Sequence, residues 1–128
     1  MNPELVKSEV IPKFLDYLER ALGGKRHTRD SELDKAALKH AESMAERRMP
    51  YSAPMNFLDG ALEINFCHSA RDIDSALIEI AYRLRQENND SKNLKECNRM
   101  GLGIVVLERV KMGRKFLDLY ITQRIKPW

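Results

Sequence analysis

The stretch "GIVVLERVKMGRKFLDLYITQRI", residues 103–125, decides the fold. Both halves are rich in β-branched and aromatic residues, and Gly113 lies between them at the position of a turn, which is typical of a β-hairpin. The side chains of the second half alternate between an apolar and a mixed set: Leu117, Leu119 and Ile121 on one side, and Phe116, Asp118, Tyr120 and Thr122 on the other. We therefore expect a C-terminal hairpin that buries one face and carries two aromatic side chains on the other.

Three segments upstream of the hairpin carry apolar residues at helical spacing, over residues 3–22, 31–49 and 70–89. Pro12 is expected to bend or restart the first helix, because its missing N–H matters least near a helix start. The face of the second helix is made mostly of small residues, which allow a neighbouring element to approach closely. All three segments are predicted to be helices that bury one face.

The segment "ALEINFC", residues 61–67, alternates apolar and polar side chains and is predicted to be a half-buried strand. Successive strand residues point to opposite faces, so Cys67 and His68 are not expected to converge on one metal or substrate. Ser69 is expected to cap the following helix. Residues 51–60 are expected to form a loop, and residues 91–100 a short helical turn or loop.

The order helix, helix, strand, helix, strand, strand predicts an α+β fold: a single two-layer domain with two N-terminal helices followed by β-α-β-β, ending in the hairpin. The predicted domain spans residues 1–128, with a helical part over 1–50 and a β-α-β-β part over 51–128. A right-handed crossover from the first strand would set it beside the hairpin, with all three helices over one face of the sheet.

The composition is that of a globular protein, with 43% apolar and 32% charged residues. No apolar run reaches the roughly 18 residues of a membrane span, and the first residues lack the pattern of a signal peptide. Cys67 and Cys97 have no disulfide-framework spacing, which favours a reducing compartment. We therefore expect a cytoplasmic protein without a membrane partner.

No spacing of chemically active residues indicates a catalytic or metal site, and no cofactor is expected. The strand "IVVLERVK" resembles the second catalytic strand of restriction-endonuclease-like nucleases, in which one residue separates an acid from a lysine. Here two residues separate Glu108 from Lys111, which places them on opposite faces of a strand. The sequence therefore favours a protein that is not an enzyme, and we assign no catalytic residue.

The charge is unevenly distributed: residues 1–91 carry a net charge of −3, and residues 92–128 a net charge of +6. A basic segment of this kind can meet an acidic protein surface or phosphates. The candidate binding residues are the basic loop after the first helix together with the basic and aromatic residues of the hairpin and the tail: Lys25, Arg26, Arg29, Arg109, Lys111, Arg114, Lys115, Phe116, Tyr120, Arg124 and Trp128.

Two functions are compatible with these residues. The first is a small intracellular protein-binding module, such as an adaptor, inhibitor, chaperone-like or immunity-type protein, that uses the basic hairpin and the terminal tryptophan. The alternative is a nucleic-acid-binding protein that contacts phosphates and bases through the same hairpin and the basic loop over residues 25–29. The expected partner is another protein, with nucleic acid as the alternative. The sequence is also compatible with a homo-oligomer.

Overall fold

The computed structural model describes residues 1–51 and 60–127. The helical elements and strands follow one another along the chain as α1 (Pro3–Leu5), a π-helical turn (Val6–Val10), α2 (Ile11–Ala21), β1 (Thr28–Arg29), α3 (Ser31–Arg47), β2 (Leu62–Ala70), α4 (Ile73–Gln86), α5 (Asn88–Glu96), β3 (Arg99–Lys111) and β4 (Arg114–Lys126). The α+β class, the single domain and the C-terminal hairpin are confirmed. The expectation of a loop over residues 51–60 falls mostly on residues outside the described part of the chain.

Pro12 lies where the first helix changes type, but the helix does not stop there. It follows the π-helical turn directly, and Val10 and Ile11 both keep right-handed helical dihedral angles. The apolar residues Val10, Phe14 and Leu18 are fully or almost fully buried along one face. The first segment therefore covers the sheet with a single apolar stripe despite the change of helical type.

The four strands form one sheet in the order β1-β3-β4-β2. β3 and β4 pair antiparallel from Arg99↔Lys126 to Lys111↔Arg114, and β2 pairs antiparallel with β4 from Leu62↔Ile125 to Ala70↔Leu117. The crossover from β2 through α4 and α5 therefore places β2 beside the hairpin, with β4 between β2 and β3.

Helices lie on both faces of this sheet. α2 and α4 share a core with Leu102, Ile104 and Leu119 on one face, whereas α3 lies on the other face, where Met44 packs with Tyr120. This differs from our expectation of three helices over one face. The physical reason is the close approach of α3 to β3, because a Cβ atom at Gly101 or Gly103 would overlap the α3 backbone.

Several boundaries also differ from expectation. β2 continues through Ser69, so the cap of α4 is Asp72, whose carboxylate accepts the Ser75 N–H at 2.8 Å. Residues 88–96 form a complete helix, and β3 begins at Arg99, before the stretch 103–125 in which the hairpin was expected. The connector between α2 and α3 contains the short strand β1, which pairs parallel with the start of β3.

Among the described residues, none of the helices has the length and apolar character needed to cross a membrane.

Candidate functional site

The end of the hairpin extends beyond the neighbouring strand. β2 pairs with β4 only from Leu117 onward, so residues 109–116 form a two-stranded ribbon that β2 does not flank. Residues 110–115 are all exposed, and we call residues 110–114, around the turn, the hairpin tip. The tip is thus placed in solvent by the strand register rather than by a flexible connection.

The turn of the hairpin tip carries an unusual residue. Met112 and Gly113 have φ angles of 52° and 74°, the left-handed values that a two-residue type I′ turn requires at both central positions. Asparagine or glycine normally occupies the first of these positions, because a larger side chain strains the backbone there. The Met112 side chain is 93% exposed and Val110 is 72% exposed, so neither contributes appreciably to the core.

The basic residues of the hairpin differ in how they are paired. Arg109 donates to both carboxylate oxygens of Asp118, at 3.0 and 3.2 Å, and its guanidinium lies 5.1 Å from the centre of the Phe116 ring. Lys115 forms a 2.9 Å ion pair with Glu108. Lys111 and Arg114 are exposed and form no ion pair with any residue in the described part of the chain. The unneutralised positive charge is therefore at the tip itself.

The pairing of Asp118 also affects its protonation. The hydrogen bonds from Arg109, assisted by one from the Ser69 hydroxyl, lower the pKa of Asp118 against the opposing effect of burial. Asp118 is therefore ionised at neutral pH and neutralises Arg109. As a result, Arg109 and Phe116 form the base of the ribbon and hold each other in place.

The basic loop after α2 is engaged in local contacts. Lys25 donates to the Asn98 side chain at 2.6 Å, Arg26 to Glu19 at 2.8 Å, and Arg29 to Asp34 at 2.6 Å. These contacts connect the loop to α2, α3 and the start of β3. The loop does not join the hairpin tip in one surface, because it lies at the opposite end of β3, where β1 pairs with Arg99 and Met100.

Two of the candidate binding residues, Tyr120 and Arg124, are buried and half-buried, respectively, on the α3 face of the sheet. Tyr120 is only 2% exposed and packs with Met44 and Ala45, so it is not available for stacking on a base in this structure. Arg124 donates to Glu63 at 2.9 Å, and the side chains of both residues are largely buried. The expectation of an exposed aromatic pair on the hairpin is therefore not met.

Arg124 belongs to a polar network that the sequence pattern did not predict. Asn65 donates to Glu63 at 2.5 Å and accepts from the Thr122 hydroxyl at 2.7 Å, while His40 Nε2 lies 3.6 Å from Glu63. The network connects β2, β4 and α3 and satisfies polar groups inside the fold. The only signal in the sequence was the polar alternation of β2, which is ordinarily read as a solvent-facing side.

The cysteine and histidine residues do not form a reactive site among the described residues. Cys67 and Cys97 are free thiols, and burial raises the pKa of each, so both are protonated at neutral pH. His68 points to α4, where its Nε2 lies 2.5 Å from Glu79. No group of three or more potential metal ligands occurs in the described part of the chain.

Trp128, the remaining candidate residue, lies outside the described residues.

Comparison of the chain with models of known protein families and with curated proteins finds no match. The case for a function therefore depends on the geometry and chemistry of the described surfaces.

Proposed function

We propose that this chain is a small, non-enzymatic protein-binding module that docks its hairpin tip on an acidic, partly apolar surface of another protein. An adaptor, inhibitor, chaperone-like or immunity-type role fits this mode of binding. The observation that carries the proposal is Met112, whose side chain is almost fully exposed at a backbone conformation that disfavours it. A residue that strains the backbone of the turn and does not pack in the core is best explained by a contact with another molecule.

The chemistry of the hairpin tip supports a protein partner. Val110 and Met112 offer apolar surface, and methionine is enriched at protein interfaces because its side chain adapts to irregular surfaces. Lys111 and Arg114 add two positive charges, which would be complementary to carboxylates and would accelerate the encounter with an acidic partner. An apolar centre with cationic neighbours matches the general organisation of a binding hot spot.

Nucleic acid is the alternative partner and would depend on the same two cations. Nonspecific binding of single strands normally combines phosphate contacts with aromatic side chains on which bases stack. In the hairpin, Tyr120 is buried and the Arg109 guanidinium lies over the Phe116 ring, so Tyr120 is closed to stacking and one face of Phe116 is already occupied. The exposed side chains of the tip thus favour a protein over a nucleic acid.

The proposal is tested by affinity capture followed by binding measurements with the purified captured protein. We expect Lys111→Glu/Arg114→Glu and Val110→Ser/Met112→Ser each to weaken binding at least about tenfold, the loss typical of a hot spot. The matched controls Lys7→Glu/Lys39→Glu and Leu5→Ser/Met49→Ser change exposed residues elsewhere and are expected to bind normally.

Two outcomes would overturn this assignment. In the first, both tip variants bind the captured protein as tightly as the wild type. In the second, labelled single-stranded DNA or RNA binds with a steep loss of affinity between about 50 and 200 mM salt, and Lys111→Glu/Arg114→Glu abolishes this binding. That second result would establish the nucleic-acid alternative.

A further inference from the structure

The outer edge of β2 pairs with no strand in the described part of the chain. Along a strand, the N–H and C=O groups of one residue point to one side and those of the next residue to the other. The Met100 C=O accepts from the Asp30 N–H, and the Leu102 N–H donates to the Asp34 carboxylate. The backbone groups of the even-numbered β3 residues therefore point away from β4. The pairings of β3 with β4 and of β4 with β2 are continuous, so this alternation extends to β2. There, the N–H and C=O groups of Asn65, Cys67 and Ser69 point away from β4. β2 is the last strand on this side of the sheet, so no described strand pairs with them.

The opposite edge of the sheet is protected along the first residues of β3. β1 pairs with Arg99 and Met100, and the Asp34 carboxylate accepts the Leu102 N–H at 2.9 Å. Residues 62–70 contain no lysine, proline or glycine, and β1 has no counterpart on this side of the sheet among residues 1–51 and 60–127. Natural proteins normally protect a long edge strand of this kind unless another chain pairs with it.

A cavity of about 450 Å³ lies beside this edge. Ile64 and Phe66 of β2 and Ile80 and Leu84 of α4 form its apolar wall, and the exposed Tyr82 borders it. An extended strand added to β2 would direct every second side chain toward this cavity. The backbone edge and the apolar cavity together provide the two elements of strand-addition recognition, which are main-chain pairing and a side-chain pocket.

The cavity also carries a charge preference. Glu87 and Asp90 line one end of it, and burial together with the nearby Glu87 charge raises the pKa of Asp90. Arg83, the cation that lines the cavity, is turned toward His68, with 3.4 Å between the two nitrogens. A positively charged side chain placed between the two carboxylates would relieve their mutual repulsion.

A second copy of the chain does not fit this edge well. Antiparallel pairing of β2 with β2 of a second copy would keep both α4 helices on the same face, and α4 packs on β2 itself. Strands are about 4.8 Å apart, whereas packed helices need about 8–10 Å between their axes. The edge therefore suits a segment that carries no helix over that face.

We propose that the β2 edge binds an extended peptide segment of a partner protein as an added strand, with an apolar side chain in the cavity and a lysine or arginine two residues away against Glu87 and Asp90. This surface lies at the end of the sheet where Ile64 pairs with Gln123, away from the hairpin tip. The inference goes beyond the proposed function, because it adds a separate surface with its own ligand chemistry.

The test is a selection from a randomised peptide library displayed on phage, using the full chain as bait. We expect enrichment of an apolar residue followed at the second position by lysine or arginine. Synthetic peptides of the enriched sequence should bind about tenfold more weakly to Glu87→Gln/Asp90→Asn, since hydrogen bonds to charged groups are lost. Peptides N-methylated along the pairing edge should not bind, because they lack the strand-pairing donors.

Two variants separate this surface from the hairpin tip. Cys67→Pro removes an N–H that forms no bond within the sheet and should abolish peptide binding while the chain stays folded, as monitored by its thermal unfolding. Lys111→Glu/Arg114→Glu should bind the enriched peptides normally, even if it loses the partner of the tip.

Three results would overturn the proposal. The selection could enrich no sequence over Cys67→Pro bait, or the enriched peptides could bind Glu87→Gln/Asp90→Asn and Cys67→Pro as well as they bind the wild type. Sedimentation equilibrium could also show self-association that Cys67→Pro abolishes, which would identify a second copy as the occupant of the edge.

Discussion

At the scale of single residues, the hairpin tip combines strain with exposure. Met112 adopts a positive φ that costs an ordinary residue roughly 1–2 kcal/mol relative to the right-handed region. Burial of the side chain does not offset this free-energy cost, since the side chain is 93% exposed. A turn selected for stability alone would place asparagine at this position, so Met112 is the residue at which stability and the proposed function are in conflict.

We therefore expect Met112→Asn to raise the free energy of unfolding by about 1 kcal/mol, because asparagine tolerates the left-handed conformation. Urea denaturation measures the change. Met112→Ala is the matched control, since it removes the same side chain but keeps an ordinary Cβ at positive φ and is expected to leave stability almost unchanged. Equal stabilisation by both variants would contradict strain at this position.

The pairing of Asp118 predicts a pH dependence of stability. Its folded pKa is lowered by the hydrogen bonds from Arg109, so it lies below the unfolded value of about 3.9. The stabilisation from this pair is therefore complete above about pH 5 and is lost as the pH falls through 3.9 toward the folded pKa. We expect the difference in unfolding free energy between wild type and Asp118→Asn to shrink over this acid range. A difference that stays constant with pH would show that the charge of Asp118 is not involved.

At the scale of elements, the position of α3 depends on two glycines. Gly101 and Gly103 in β3 leave no side chain between the strand and the helix, so the small residues of α3 pack directly on the sheet backbone. In the sequence these glycines stand at the start of the hairpin, where glycine is also typical of a chain that enters a strand from a loop. Glycine in a strand can also mark a close approach of another backbone, and only the position of α3 distinguishes the two cases.

Gly103→Ala is expected to destabilise the fold by about 3 kcal/mol or more, because its Cβ would overlap the Leu38 backbone and the helix would have to move. Gly113→Ala is the matched control, with nothing within 4 Å of the added Cβ and a cost of about 1 kcal/mol from its positive φ. Thermal and urea unfolding compare the two variants. A smaller loss for Gly103→Ala than for Gly113→Ala would contradict the packing described for α3.

The elements that the sequence predicted well are those with strong periodicity. α4 and the hairpin follow regular apolar patterns, and both are present, with shifted ends. β1 was not predicted, because two residues carry no period and their pairing depends on the distant Met100. The α4 cap was misplaced because Ser69 and Asp72 are both good capping residues, and pairing with β4 decides between them.

At the scale of the whole molecule, the sheet is covered by helices on both faces and keeps two features outside that cover. The hairpin tip extends beyond β2, and the outer edge of β2 has no described partner strand. The positive charge of the C-terminal segment was visible in the sequence, but its distribution was not. Cross-strand contacts with Asp118 and Glu63 neutralise Arg109 and Arg124, and leave Lys111 and Arg114 as the exposed cations of the hairpin tip.

The most direct measurement of the central claim is photocrosslinking from the hairpin tip. A photoreactive amino acid replaces Met112 in one variant and Met49, an exposed methionine just after α3, in the control. We predict that position 112 crosslinks to a protein with an acidic surface, that position 49 does not, and that Lys111→Glu/Arg114→Glu removes the crosslink. Equal crosslinking from both positions, or crosslinks from position 112 to nucleic acid alone, would contradict a protein-binding role for the hairpin tip.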